Sequence, residues 1–215
     1  MHAVVVLAGD FSLTPSIERV LRTADLVIAA DGGADHLHGL SRLPDVLIGD
    51  LDSVTDEIAA SLQAQKVEIV QFPADKDATD AELAVLEAAE RGASTITILG
   101  GRGGPRADHE MANLLLLAHP RLGAVDVRFL TATTEVQALG PGKHEVGLRP
   151  GGTISLVSLT STVRGFNIAG VRWPLKNQAL TLGSTYTLSN EVTDPEVRVE
   201  IAEGMVLLFR DLTGG

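Results

Sequence analysis

Between residues 4 and 130 the chain repeats one pattern: a short run of β-branched and other apolar residues, then a stretch with helical spacing. The runs cover residues 4–7, 26–29, 46–48, 67–72, 95–99 and 127–130. Each is nearly all apolar instead of alternating, as a strand buried on both faces requires. Helical patterns at 16–23, 33–40, 55–65, 79–91 and 109–119 fill the intervals. Parallel neighbours need a crossover between them, so the expectation is a three-layer α/β domain around a mostly parallel sheet. The fourth helix carries a capping box, Thr79 followed by Glu82, and stops before Gly92.

After Leu130 the grammar changes. Helical periodicity disappears, and alternating runs at 135–139, 153–158, 178–182, 196–201 and 205–209 are separated by Gly, Pro and Asn turns. These read as a second, smaller all-β domain, a sandwich or barrel. The expected domains are 1–131 and 132–215.

Composition narrows the function classes. The net charge of -11 leaves nothing to neutralise a nucleic-acid backbone, so no nucleic-acid partner is expected. Of the 28 acidic side chains, 20 lie in the first 130 residues, which makes that domain the acidic one. With no cysteine, disulfides and thiolate chemistry are excluded and a cytoplasmic location is expected. No apolar run approaches the roughly 18 residues of a membrane span, and the N-terminus has no basic leader. No membrane partner is expected.

The polar residues of the first domain stand just after its apolar runs, where open parallel sheets bind ligands. Asp31-Gly32-Gly33 follows the second run, Gly49 to Ser53 the third, Asp75 to Asp80 the fourth, and Gly100 to Asp108 the fifth. Asp50 and Asp52 are two residues apart, so on extended backbone they share a face. Two such carboxylates about 4 Å apart repel by roughly 4 kcal/mol at an effective dielectric near 20 and need a cation or a shared proton. Asp75, Asp77 and Asp80 form a second acidic cluster. Carboxylates on adjacent loops beside an Arg/Gly loop suit Mg²⁺ and a polyphosphate, because Mg²⁺ is held by a few carboxylates plus phosphate oxygens. Gly33 opens a helix whose amides can face phosphate, and Arg102 and Arg106 can clamp its oxygens. Each feature also has a plainer structural role: a tight turn at Gly32-Gly33, a first-turn carboxylate at Asp80, a cap at Asp108. The histidines offer no set of ligands at metal-binding spacing. In the second domain Trp173, the only tryptophan, lies in a turn-rich stretch between Arg172 and Pro174, either as core or as a stacking surface.

In this order the pieces resemble the thiamin pyrophosphokinase family. The resemblance is carried by ADGGAD from Ala30, PDVLIGDLDS from Pro44, DKDATDAE from Asp75, GGPRADHEMAN from Gly103, and GVRWPL with LGSTYTLSN further on. It implies an N-terminal α/β domain that binds ATP and Mg²⁺, a C-terminal β-sandwich, and a homodimer with thiamin held between subunits. Asp50, Asp52 and Asp80 would be the metal and catalytic carboxylates. Asp31, Gly32, Gly33, Thr79, Arg106 and Asp108 would line the nucleotide site. Trp173 would stack on thiamin, with Ser189 and Asn190 as hydrogen-bonding partners. The implied reaction is pyrophosphate transfer from ATP to the thiamin hydroxyl, giving thiamin diphosphate and AMP. The alternatives are a diphosphokinase acting on another heterocyclic alcohol such as a hydroxymethylpterin, a non-catalytic nucleotide or thiamin sensor, and a metal-dependent phosphohydrolase. The chain departs from the family pattern at Asp35, commonly Asn, and at Pro105, which fixes φ and removes one amide donor.

Overall fold

The computed structural model describes residues 1–49, 65, 67–72, 77–103 and 105–213. Asp50, Asp52 and Asp75 lie outside the described residues, as does the expected helix at 55–65 apart from its last residue. The chain divides into two compact units, Met1–Ala132 and Thr133–Gly215.

In the first unit, β1 (His2–Val6), α1 (Pro15–Thr23), β2 (Leu26–Ala30), α2 (Gly33–Leu37), β3 (Val46–Gly49) and β4 (Glu68–Gln71) are followed by α3 (Asp80–Glu90), β5 (Thr95–Leu99), α4 (Ala107–Leu115) and β6 (Asp126–Leu130). The strands lie in the order β6-β5-β1-β2-β3-β4, and every pairing among them is parallel. The expected parallel sheet is therefore present. Val4, Val6, Val27 and Ala29 pack with Ile17 and Leu21 of α1 and Leu37 of α2. Val5 and Ile28, which alternate to the other face, are equally buried, so both faces are covered. The β4 run departs from the expectation of full burial: it is the edge strand, and its terminal residues Glu68 and Gln71 are exposed.

Local chemistry sets the helix ends. Thr14 caps α1, its hydroxyl accepting from Ile17 N–H at 3.3 Å, and Pro15 supplies the fixed φ of the first helical position. The helix thus starts one residue earlier than periodicity indicates. Thr79 caps α3 through Glu82 N–H at 3.2 Å, while the Glu82 carboxylate approaches His119 Nε2 at 3.5 Å. Two expected helices are shorter than their patterns. α2 stops at Leu37 because His38 turns extended, and α4 gives way after Leu115 to a 3-10 turn, Leu116–Ala118.

The second unit contains β7 (Thr134–Leu139), β8 (Gly142–Gly147), β9 (Thr153–Ser158), β10 (Thr162–Ala169), β11 (Leu175–Thr181), β12 (Asn190–Glu191), β13 (Glu196–Ile201) and β14 (Val206–Asp211). They form two antiparallel arrays, β12-β9-β14-β7 and β11-β10-β13-β8. Leu139, Ile154, Leu156, Val206 and Leu208 of the first array share one buried cluster with Val146, Val163, Phe166, Ile168, Val197, Val199 and Ile201 of the second. That makes the unit a sandwich, since alternate side chains of each strand point into the common core. Three strands, β8, β10 and β12, were not among the expected ones. Opposite each other on β7 and β14, Glu135 and Arg210 form an ion pair, with Glu135 only 5% exposed.

Phe166 is fully buried in the cluster that joins the two arrays. Phe166→Ala is expected to cost about 3–5 kcal/mol through lost transfer energy and the cavity it leaves. Urea unfolding followed by the fluorescence of Trp173, which lies in the same unit, would measure it.

Candidate functional site

The carboxyl ends of the parallel strands enclose a cleft of about 280 Å³ in the first unit. Its wall includes Leu7, Ala8 and Gly9 after β1, Asp31 after β2, Thr79 and Asp80 at the start of α3, and Gly100, Gly101, Gly103, Arg106 and His109 after β5. Asp31, Thr79, Asp80 and Arg106 are thus brought together, whereas Asp50 and Asp52 are outside the described residues. Gly32 and Gly33 sit beside Asp31, as the cap and first residue of α2. That helix is a single short turn, so it offers little of the dipole expected from its sequence.

Asp31 adopts φ 45, a left-handed conformation uncommon outside glycine. Two backbone bonds hold it there: its N–H donates to Ile48 O at 2.8 Å, and its carbonyl accepts from Ala34 N–H at 3.1 Å. The turn carries its carboxylate over the end of β3. A β-carbon placed on Gly49 would stand 1.7 Å from Asp31 Oδ1. Glycine at 49 therefore makes room for the carboxylate just where the chain leads into Asp50 and Asp52.

The loop after β1 is the part that sequence reasoning missed. Gly9 N–H donates to Gly100 O at 2.6 Å and Asp10 N–H to Arg102 O at 2.5 Å, so this loop is laced to the glycine-rich loop. A β-carbon on Gly9 would lie 2.3 Å from Arg102 O. His36 Nε2 bonds Gly9 O at 2.8 Å while its ring stacks on Phe11 at 4.9 Å, which ties α2 to the loop after β1. The available signal was a glycine directly after an apolar run, weak when taken alone.

Both arginines of the glycine-rich loop are paired with acids of α4. Arg102 Nε donates to Glu110 Oε1 at 2.9 Å, and Glu110 Oε2 also accepts Gly103 N–H at 3.2 Å. Arg106 makes a two-point contact with Asp108, Nε to Oδ1 at 2.9 Å and Nη2 to Oδ2 at 2.7 Å. The guanidinium beside it holds the Asp108 carboxyl well below the usual carboxylate range, and Asp108 in turn raises Arg106. Both side chains are about two-thirds exposed, so the pair is screened by solvent and exchangeable. An anion entering the cleft competes with Asp108 for a guanidinium already aimed by its partner.

The second unit holds a pocket of about 360 Å³ lined by Trp173, Leu175, Tyr186, Thr187, Leu188, Ser189 and Asn190. Trp173 is 55% exposed and so is not core. Asn190 is buried, and its side chain is spent on the Trp173 backbone: Oδ1 accepts Trp173 N–H at 3.1 Å and Nδ2 donates to Trp173 O at 2.9 Å. Ser189, at φ 55, donates its N–H to Ser155 Oγ at 2.9 Å and is itself a residue of the pocket wall. Tyr186 and Leu188, at 65% and 43% exposure, complete an apolar surface that sequence reasoning did not single out. Tyr186 is the only tyrosine in the chain, a signal comparable to that of Trp173.

Residues 17–128 match the catalytic domain of thiamin pyrophosphokinase, and residues 143–206 match its vitamin B1 binding domain. The chain belongs to the thiamin pyrophosphokinase family. Membership makes it a diphosphotransferase. The thiamine pyrophosphokinase of Bacillus subtilis is 28% identical over 207 residues, spanning 96% of each chain. The crystal structure of the B. subtilis thiamine pyrophosphokinase superposes with a TM-score of 0.87 at 26% identity, covering 99% of this chain and 100% of that one. A thiamin pyrophosphokinase family protein from Enterococcus faecalis gives 0.85 at 27% identity, covering 98% and 99%. The first-unit cleft falls mostly within the stretch matched to the family's catalytic domain, and the Trp173 pocket within that matched to its vitamin B1 binding domain. The Gly9 loop precedes the matched stretch.

Because Asp108 is depressed in the folded chain, its pairing contributes above the ordinary aspartate range and is lost as pH falls through the depressed value. Arg106→Ala is expected to raise the Asp108 carboxyl toward the ordinary aspartate range, the backbone N–H groups of Asp108 and His109 still holding it somewhat down. Carboxyl-carbon NMR titration of the variant and its parent checks this.

Proposed function

We propose that the chain transfers the pyrophosphoryl group of ATP to the hydroxyl of thiamin, giving thiamin diphosphate and AMP. The observation that carries this reading is the exposed indole of Trp173, clamped at its backbone by the buried Asn190, beside a pocket in the stretch matched to a vitamin B1 binding domain. A flat heterocycle gains most from a ring held in place before it arrives. Tyr186 and Leu188 supply the remaining apolar wall, and the Ser189 side chain supplies a polar contact.

The first-unit cleft is read as the nucleotide site. Arg106, released from Asp108, pairs with phosphate oxygens, and Thr79 and the glycine-rich backbone border the same cleft. The cofactor proposed is Mg²⁺. Among the described residues no three of His, Asp and Glu come together as a metal site. The donors that do line the cleft, the Asp31 and Asp80 carboxylates and the Thr79 hydroxyl, are hard oxygens that fit a hard cation, with Asp50 and Asp52 as the further ligands in sequence. When bound, Mg²⁺ neutralises charge on the phosphate oxygens.

In the reaction the thiamin hydroxyl oxygen forms a bond to the β-phosphorus, the bond from that phosphorus to the oxygen bridging the α-phosphate breaks, and AMP leaves. The hydroxyl proton passes to a carboxylate of the acidic set, Asp80 or Asp52. The chain's part is chiefly positioning and charge neutralisation, as expected for phosphoryl transfer. We propose further that the protein is cytoplasmic and acts as a homodimer. Among the described residues no helix is long and apolar enough to cross a membrane.

An acceptor screen with ATP, Mg²⁺ and purified protein tests the reading: AMP should form only when thiamin is supplied. ADP as product, AMP without acceptor, or preference for a pterin alcohol would each overturn it. Asp80→Asn is expected to lower turnover about 100-fold or more while leaving the thermal unfolding midpoint near that of the parent, because the side chain acts on charge at the phosphates. Near-normal activity would remove Asp80 from the catalytic set.

A further inference from the structure

We infer that Arg172 is a positioning residue that closes one face of the Trp173 indole, with Glu191 holding it there, so that the ring is a one-sided stacking platform. The guanidinium carbon of Arg172 lies over the Trp173 ring, 5.0 Å from its centroid. A guanidinium at that distance is attracted to the electron-rich ring face and covers it. Trp173 is a wall residue of the 360 Å³ pocket and Arg172 is not, so the ring borders the pocket while the guanidinium occupies one of its faces.

Arg172 is itself held from two directions. Its Nη1 donates to Glu191 Oε2 at 2.9 Å, and its backbone N–H donates to Glu191 O at 2.8 Å. On either side the same two segments are joined again, by the bridge between Val171 and Val192 and by the two Asn190 bonds to the Trp173 backbone. Residues 171–173 and 190–192 therefore form a short antiparallel clip that fixes the tryptophan backbone through Asn190 and lays the Arg172 guanidinium over its ring. An exposed indole without a neighbour on one face samples several rotamers, and a ligand must then select among them. The Arg172 brace, whose ion pair with Glu191 is solvent-exposed, biases the ring toward one rotamer and so reduces that selection step. The ligand class is a flat heteroaromatic ring; its identity as thiamin rests on the function proposed above.

Trp173 is the only tryptophan, so its fluorescence reports on this ring alone. In ligand-free protein, Arg172→Ala should raise the acrylamide Stern–Volmer constant by about twofold, because removal of a long side chain uncovers the second face. With thiamin and ATP, the same variant should raise KM for thiamin about two- to fivefold, the scale of an exposed cation–π contact, and leave KM for ATP unchanged. Arg172→Lys should recover part of both effects, since the stem still covers the ring but the planar fork to Glu191 is gone. Unchanged quenching in Arg172→Ala, or an equal rise in both KM values, would overturn the proposal. If the parent protein fails to turn over thiamin, the functional reading fails, and the quenching comparison still decides the role of Arg172.

Discussion

The first-unit cleft depends on backbone hydrogen bonding along β1. That strand pairs with β2 on one side and β5 on the other, and the second ladder does not stop where the strand ends. Leu7 N–H donates to Leu99 O at 2.9 Å, and the bonds from Gly9 and Asp10 to Gly100 and Arg102 carry the pairing into the loops. Two of the segments that border the cleft, those after β1 and β5, are thus an extension of the sheet. Their position follows from the same apolar runs that drive the strands together, carried past the strand ends by the ladder itself. On the other side of β1, the strained backbone of Asp31 is anchored to β3 by one hydrogen bond to Ile48, so its carboxylate is placed by the sheet as well.

Much of this was legible in the sequence because the signals were redundant. Strands of the first unit were marked by mostly apolar, β-branched runs, and α3 by periodicity, a Thr cap and a following glycine. Where one signal stood alone the reading slipped. The helical pattern beyond Leu37 continues on paper, but His38 turns extended. Strand β8, GKHEVG, has a single buried residue, Val146, and so shows no alternation. Strand β10 carries Gly165 and shifts register against β11, which breaks the period of two on which a strand is recognised. Strand β12 is only two residues long.

The candidate sites divide in the same way. Residue type and loop position were enough to bring Asp31, Thr79, Asp80 and Arg106 together, because any side chain just past a parallel strand reaches the same edge. Partnerships within that edge were not legible. That Arg106 is held by Asp108, that Arg102 is held by Glu110, and that Asn190 is occupied by the Trp173 backbone all depend on rotamers and distances. Trp173 could be read either as core or as surface, and only its exposure decided between them.

The pairing of buried Glu135 with the partly exposed Arg210 constrains how the second unit assembles. The two residues face each other across β7 and β14 yet stand 75 positions apart in the chain. Sliding β14 by one residue would leave the buried Glu135 carboxylate without its partner, an uncompensated charge that disfavours the slipped alignment. The pair therefore works as a key that accepts one alignment. During synthesis that key is missing until Arg210 emerges, so the first strand of the unit to be made meets its β14 partner only after every other strand of the unit has been made.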